Sequence, residues 1–147
     1  MSGRILGLDY GTKTVGVAIS DPLLLTAQEL ETITRERASA LRHTLVRIKD
    51  LCEEYQVSTI VLGYPRNMDD SEGFRCEDTI KFKELLEKRV DIPIVLVDER
   101  LTTVYADEIL DESGVAKKDR KKYIDQIAAA IILQEYLDSN GSLRKAD

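Results

Sequence analysis

Cysteine occurs twice in the 147 residues, as Cys52 and Cys76, histidine once, as His43, and tryptophan not at all. The two cysteines are far apart and lack metal-like spacing, which argues against a thiolate cluster and fits unpaired thiols in a reducing compartment. Cys52 falls on an apolar helical stripe with Leu41, Leu45, Ile48 and Tyr55, where a thiol behaves as a small hydrophobe. His43 falls off that stripe and faces solvent, so it is a poor general base and receives no role. No apolar run reaches the roughly 18 residues of a membrane span. An apolar leader is lacking too, since Met1-Ser2-Gly3-Arg4 passes straight into strand-like sequence. The expectation is a soluble cytoplasmic protein with no membrane partner. Repeats, low-complexity tracts and an interdomain linker are also missing, so one domain spanning 1–147 is expected.

Positive charge is the other shortage. The net charge is −6 at pH 7, whereas surfaces that bind nucleic acid are usually basic. Its distribution is uneven: "KKDRKK" gathers Lys117, Lys118, Arg120, Lys121 and Lys122, while "DEILDE" and "CEEY" put acids on helix faces. A basic run is either a solvated face or a local binding rim, and its neighbours must decide.

What is present is an apolar fraction of 43% with interspersed charge, the composition of a globular chain. Ile5–Asp9 and Val15–Ser20 are β-rich runs joined by the turn-like "YGTKT", and "SDP" marks another turn before "LLLTAQELETI". Three consecutive strands in a meander are predicted. A helix follows from about Arg35 to Gln56, then the strand "STIVLGYP". "RNMDDSEGFRCED" reads as a loop, "TIKFKELLEKR" as an amphipathic helix and "IPIVLV" at 92–97 as a buried strand. A further helix is predicted from about Thr102 to Ser113, stopped by Gly114, and a last one from Tyr123 to about Leu137. That order predicts an α/β fold, a mixed sheet with helices on both faces.

Carboxylates interrupt the buried runs at three places. Asp9 ends the first strand, Asp98 and Glu99 end the "IVLV" strand, and Asp125 enters the apolar helix on the face of Ala128, Ala129 and Ile132. One carboxylate at a strand end is usually a cap or turn residue. Three at the ends of central elements carry a desolvation cost that a shared divalent cation would relieve. Oxygen donors suit a hard cation such as Mg²⁺, which keeps positions open for phosphate and water.

The blocks "GLDYGTKTVGVAISD", "IVLGYPRNMD", "VDERLTT" and "IDQIAAAIILQEYL" resemble, in order and spacing, the signature blocks of the YqgF family, also called RuvX, of the RNase H-like superfamily. The resemblance covers essentially the whole chain. It implies an RNase H-like fold with a five-stranded sheet whose first three strands are antiparallel. It also implies that Asp9, Glu99 and Asp125 form an acidic triad binding Mg²⁺ or Mn²⁺. Asp98 stands as the substitute for Glu99, because side-chain parity does not choose between neighbours on a strand buried on both faces. In the loop, Asp70 occupies a position where the family commonly has glycine, so a backbone-permissive site has become acidic.

The function implied is metal-dependent hydrolysis of phosphodiester bonds with no side-chain nucleophile. The family is associated with processing the 5′ end of pre-16S ribosomal RNA, and its similarity to RuvC suggests Holliday-junction resolution. Structured RNA or branched DNA is the expected partner, with ribosome-assembly components beside it and a monomer or weak homodimer as the state. Gly11 would let the turn backbone approach a phosphate, with Thr12 and Lys13 adding a hydroxyl and a charge, although an ordinary hairpin turn has the same composition. Arg66 and Arg100 follow two strand ends, and with Lys117, Lys118, Arg120, Lys121 and Lys122 they would form a basic rim. Tyr10, Tyr64 and Tyr123 are available for base stacking or for core and turn packing. An ATP-dependent phosphotransferase would share "DYGTK", but it clamps nucleotide between two lobes, each about as long as this chain. A non-catalytic nucleic-acid-binding module is the other alternative.

Overall fold

The stretch "RILGLDY" buries Leu6 and Leu8 on one side and Ile5 and Gly7 on the other, the composition of a strand covered on both faces. The structure is a computed structural model that describes residues 3–11, 13–37, 40–64, 74–98 and 126–139, with backbone alone for 74–76 and 98. Strands β1 (Arg4–Tyr10), β2 (Thr14–Ser20), β3 (Ala27–Thr34), β4 (Val57–Tyr64) and β5 (Ile94–Asp98) form one sheet in the order β3-β2-β1-β4-β5. β1–β2 and β2–β3 pair antiparallel, and β1–β4 and β4–β5 pair parallel. The helices are α1 (Arg42–Glu54), α2 (Phe74–Glu87) and a third, α3, over residues 126–139.

Strand alternation sends the side chains to two cores. Leu6, Leu8, Val17, Ile60 and Leu62 pack with Leu45, Ile48 and Leu51 of α1 and with Phe82 and Leu86 of α2. On the opposite face Ile5, Ala18 and Val61 pack with Ala129, Ile132, Leu133 and Leu137 of α3. The expected meander and the helices on both faces are therefore present. Among the described residues no helix is long and apolar enough to cross a membrane.

Three boundaries differ from the periodicity reading, each for a physical reason. Helix α1 starts at Arg42 rather than near Arg35, because the Arg35 N–H continues the sheet by donating to the Lys13 carbonyl at 2.9 Å. Helix α2 starts at Phe74, inside the stretch read as loop, and Glu77 in its first turn suits the positive end of a helix. β5 is an edge strand among the described elements, with Leu96 36% exposed, rather than a strand buried on both faces. The predicted helix over 102–113 and its Gly114 cap lie outside the described residues.

The direction of α3 follows from two contacts. Ala129 and Leu133 lie over Gly7, whereas the Gln134 side chain accepts a hydrogen bond from Ala27 N–H at 2.9 Å and donates to the Leu25 carbonyl at 3.0 Å. Ala27 pairs with Ser20, whose Oγ accepts from the Ile5 N–H at 2.8 Å. Gln134 thus stands level with the start of β1, and α3 runs antiparallel to β1 with its N-terminal end towards Asp9.

Close approach of α3 requires glycine at position 7: an added Cβ would lie 2.8 Å from Leu133 Cβ and 3.0 Å from the Ala129 carbonyl oxygen. Gly7→Val should therefore destabilise the fold by about 1–3 kcal/mol through overpacking, lowering the urea midpoint at an unchanged m-value. A midpoint equal to that of the wild type would contradict this packing.

Candidate functional site

The parallel register brings three strand ends to one edge of the sheet. Leu8 pairs with Leu62, and Tyr64 pairs with Asp98. Adjacent strands lie about 4.8 Å apart, so the backbones of β1 and β5 end roughly 10 Å from each other with β4 between them. Asp9 is half-buried near the end of β1, with the parity of Ile5 and Gly7 and hence on the α3 side.

Bare backbone flanks Asp9 on both neighbouring strands. Gly16 is its partner on β2, and on β4 the residue after Leu62 is Gly63, which pairs with Val97. Val97 belongs to the α3-side cluster, whereas Ile94 packs in the other core. Alternation along the described part of β5 therefore sends neighbouring side chains to opposite faces of the sheet.

Beyond Asp9 the chain turns tightly. Gly11 N–H donates to the Thr14 carbonyl at 2.7 Å, and a Cβ on Gly11 would meet Thr14 O at 3.1 Å and Oγ1 at 3.2 Å. The turn itself thus uses this glycine. Lys13 is exposed beside it. Tyr10 points to the α1/α2 side and stacks on Phe82, ring centroids 4.3 Å apart, so its packing role is the one observed. Burial pushes its phenol above the ordinary value, against the pull of Arg35 and with a contribution from Asp78.

Arg35 is a residue the sequence reading missed. It is 8% exposed, donates from Nη2 to the Gly11 carbonyl at 2.7 Å, and holds its guanidinium 4.9 Å from the Tyr10 ring centroid. Burial lowers its pKa, with the Tyr10 charge opposing that shift. The available signal was alternation, since Ile33 is buried and Arg35 shares its parity.

Other predicted positions divide into two groups. Asp9, Gly11 and Lys13 are gathered at the end of β1, and the backbone of Asp98 closes β5. Thr12, Arg66, Asp70, Glu99, Arg100, Lys117, Lys118, Arg120, Lys121, Lys122, Tyr123 and Asp125 lie outside the described residues. Among the described residues no group of three or more His, Cys, Asp or Glu is positioned to hold a metal ion. His43 is exposed, and Cys52 is a buried free thiol that burial, with a smaller contribution from Glu53, pushes up to about 11. A cavity of about 370 Å³ lined by Lys49, Cys52, Glu53 and Arg89 to Ile92 lies by the entrance to β5, away from Asp9.

The strand order, the change from antiparallel to parallel pairing at β1, and helices on both faces define an RNase H-like domain. Thermus thermophilus RuvC, solved in complex with a Holliday junction substrate, has the same fold: TM-score 0.58 at 11% identity, covering 95% of this chain and 96% of that one. The family model described as RuvX, Holliday junction resolvase, matches residues 3–139, and the chain belongs to that family. Two relatives carry the name "Putative pre-16S rRNA nuclease". One, from Agathobacter rectalis, is 53% identical over 135 residues, 92% of this chain and 94% of the relative. The other, from Lachnospira eligens, is 54% identical over 136 residues, 92% of this chain and 97% of the relative.

Proposed function

We propose that the protein is a metal-dependent nuclease that trims the 5′ end of pre-16S ribosomal RNA, working in the cytoplasm with ribosome-assembly components. The observation that carries this reading is the position of Asp9, at the convergent strand ends, on the α3 side, between the bare backbones of Gly16 and Gly63. Carboxylate oxygens are hard donors suited to a hydrated ion, and neither Gly16 nor Gly63 places a side chain beside this one. The name carried by the relatives supports the RNA substrate. Cleavage of branched DNA is the second reading, favoured by the description of the family model.

Glu99 and Asp125 complete the proposed donor set. Glu99 is taken as the resemblance to the family implies, with Asp98 as its substitute. Asp125 directly precedes the described part of α3, whose N-terminal end lies towards Asp9 because α3 runs antiparallel to β1 and Ala129 lies over Gly7. Three carboxylates are hard oxygen donors, which fits Mg²⁺ or Mn²⁺ and not a soft metal. When bound, such ions lower the pKa of the attacking water and stabilise charge on the leaving oxygen. The protein's own contribution is to hold the carboxylates still and to grip the nucleic acid. That grip comes from the turn Gly11, Thr12 and Lys13, from Arg66 and Arg100, and from the basic run Lys117, Lys118, Arg120, Lys121 and Lys122.

Single-turnover cleavage, with binding measured at several salt concentrations, tests the assignment. Asp125→Asn and Glu99→Gln should each slow cleavage by at least about a hundredfold while metal-free binding persists, and Asp98→Asn should keep a measurable rate. Neutralising the five cations of 117–122 should instead weaken binding and flatten its salt dependence, leaving the rate at saturation largely intact. A folded Asp125→Asn protein that cleaves at the wild-type rate would leave the non-catalytic binding module as the better reading.

A further inference from the structure

Helix α1 is charged against its own dipole. A helix favours carboxylates at its N-terminal end and cations at its C-terminal end, yet α1 has no acidic residue in its first turn and no basic one in its last. It opens on exposed Arg42 and closes on exposed Glu53 and Glu54. Its positive end lies at the edge of the sheet where β1 finishes. The chain enters from there, since Thr34 at the end of β3 pairs with Thr14, and the connection turns at Arg37, whose carbonyl accepts from Ala40 N–H at 3.0 Å. It leaves at the opposite edge, where Val57 follows α1 and pairs with Arg4. The 13 residues of α1 cover about 20 Å, and the 7 residues of β1 cover about as much. Arg42 is therefore level with the end of β1, on the α1/α2 side of the sheet. Lys13, Arg37 and Arg42 are exposed and, among the described residues, form no ion pair, whereas Arg47 further along α1 is held by Glu31 at 2.7 Å. Glu36 is the exposed acid of the connection.

We propose that Lys13, Arg37 and Arg42 form a phosphate-binding surface that holds the nucleic-acid strand as it passes over the end of the sheet, from the Asp9 side to the α1/α2 side. Packing does not account for Arg42: it is absent from both cores, and its charge at the positive end of α1 works against the fold. A local rule broken at a cost to stability marks function, and an anion bound from outside removes the conflict. The phosphates of a nucleic-acid backbone fit better than a single free ion. The three cations come from separate segments, the β1–β2 turn, the β3–α1 connection and α1, so they are strung along the edge rather than gathered around one point. Each contact to a backbone phosphate releases counterions and positions the strand without reading its bases. The inference rests on the nuclease reading for its substrate, and on charge and placement alone for the surface.

The test uses the full chain and a single-stranded RNA of mixed sequence without divalent ions, so that binding is read apart from cleavage. In the wild-type protein, NMR should find the amides of Lys13, Arg37, Arg42 and His43 shifting on addition of RNA, and not on addition of inorganic phosphate at the same phosphate concentration. Unmoved amides there, or an equal shift with inorganic phosphate, overturn the proposal without recourse to any variant. Arg42→Glu should weaken RNA binding about tenfold and make the log–log salt slope shallower by about one. It should also raise Tm by about 2–5 °C, because the conflict with the dipole is relieved. Lys88→Glu, the same charge reversal beyond the C-terminal end of α2 at the opposite edge, should leave affinity within about twofold. Equal losses in the two variants reduce the effect to net charge and overturn the surface; a lowered Tm for Arg42→Glu overturns it too, by giving Arg42 a role in the fold. A wild-type protein that binds RNA here but cleaves neither RNA nor junction with Mg²⁺ or Mn²⁺ overturns the nuclease reading and leaves the surface standing.

Discussion

Helix α3 rests on the bare backbone of Gly7, and the relation between the two ends of the chain depends on that contact. With Leu133 Cβ and the Ala129 carbonyl oxygen about 3 Å from where a Cβ would stand, the helix cannot be moved closer, and moving it away would open a void under Ile132 and Leu133. The same contact sets the helix's level along β1, which Gln134 reinforces from the other end by hydrogen bonds to the backbone at Ala27 and Leu25. Asp9 and the N-terminal end of α3 are therefore brought to one edge by packing, before any ligand contributes.

Much of this was legible from pattern. The meander follows from three β-rich runs separated by "YGTKT" and "SDP", and α1 from the spacing of Leu45, Ile48 and Cys52, all of which are buried. The carboxylate Asp9 stood out because it ends an apolar run. What periodicity missed were features decided by neighbours in space. Arg35 looked like the first residue of a helix, because a cation ahead of an amphipathic stretch gives no sign of a tyrosine ring waiting beneath it. "FRCED" looked like loop because the first turn of α2 carries charge and the apolar spacing that marks a helix comes later, at Phe82 and Leu86. "IPIVLV" looked central because continuous apolar sequence does not reveal which strands flank it; β5 has one described neighbour, β4.

Val97 packs on the α3 side and Ile94 on the other, so β5 feeds both cores before it reaches its end. Gly16 on β2 and Gly63 on β4 stand level with Asp9, so neither neighbouring strand contributes a side chain there. The net charge of −6 then poses less of an objection to a nucleic-acid substrate. Affinity depends on where cations sit, and an acidic chain that carries the proposed basic rim should bind in a strongly salt-dependent manner.

Paramagnetic broadening by Mn²⁺ tests the central claim most directly, because it locates the ion without requiring turnover. Substoichiometric Mn²⁺ should broaden the amide signals of Asp9, Tyr10, Val97 and residues 126–128 first, leave Lys49 to Glu53 sharp, and lose this pattern in Asp9→Asn. Broadening centred on any other part of the chain, or the same pattern in Asp9→Asn, would contradict the account.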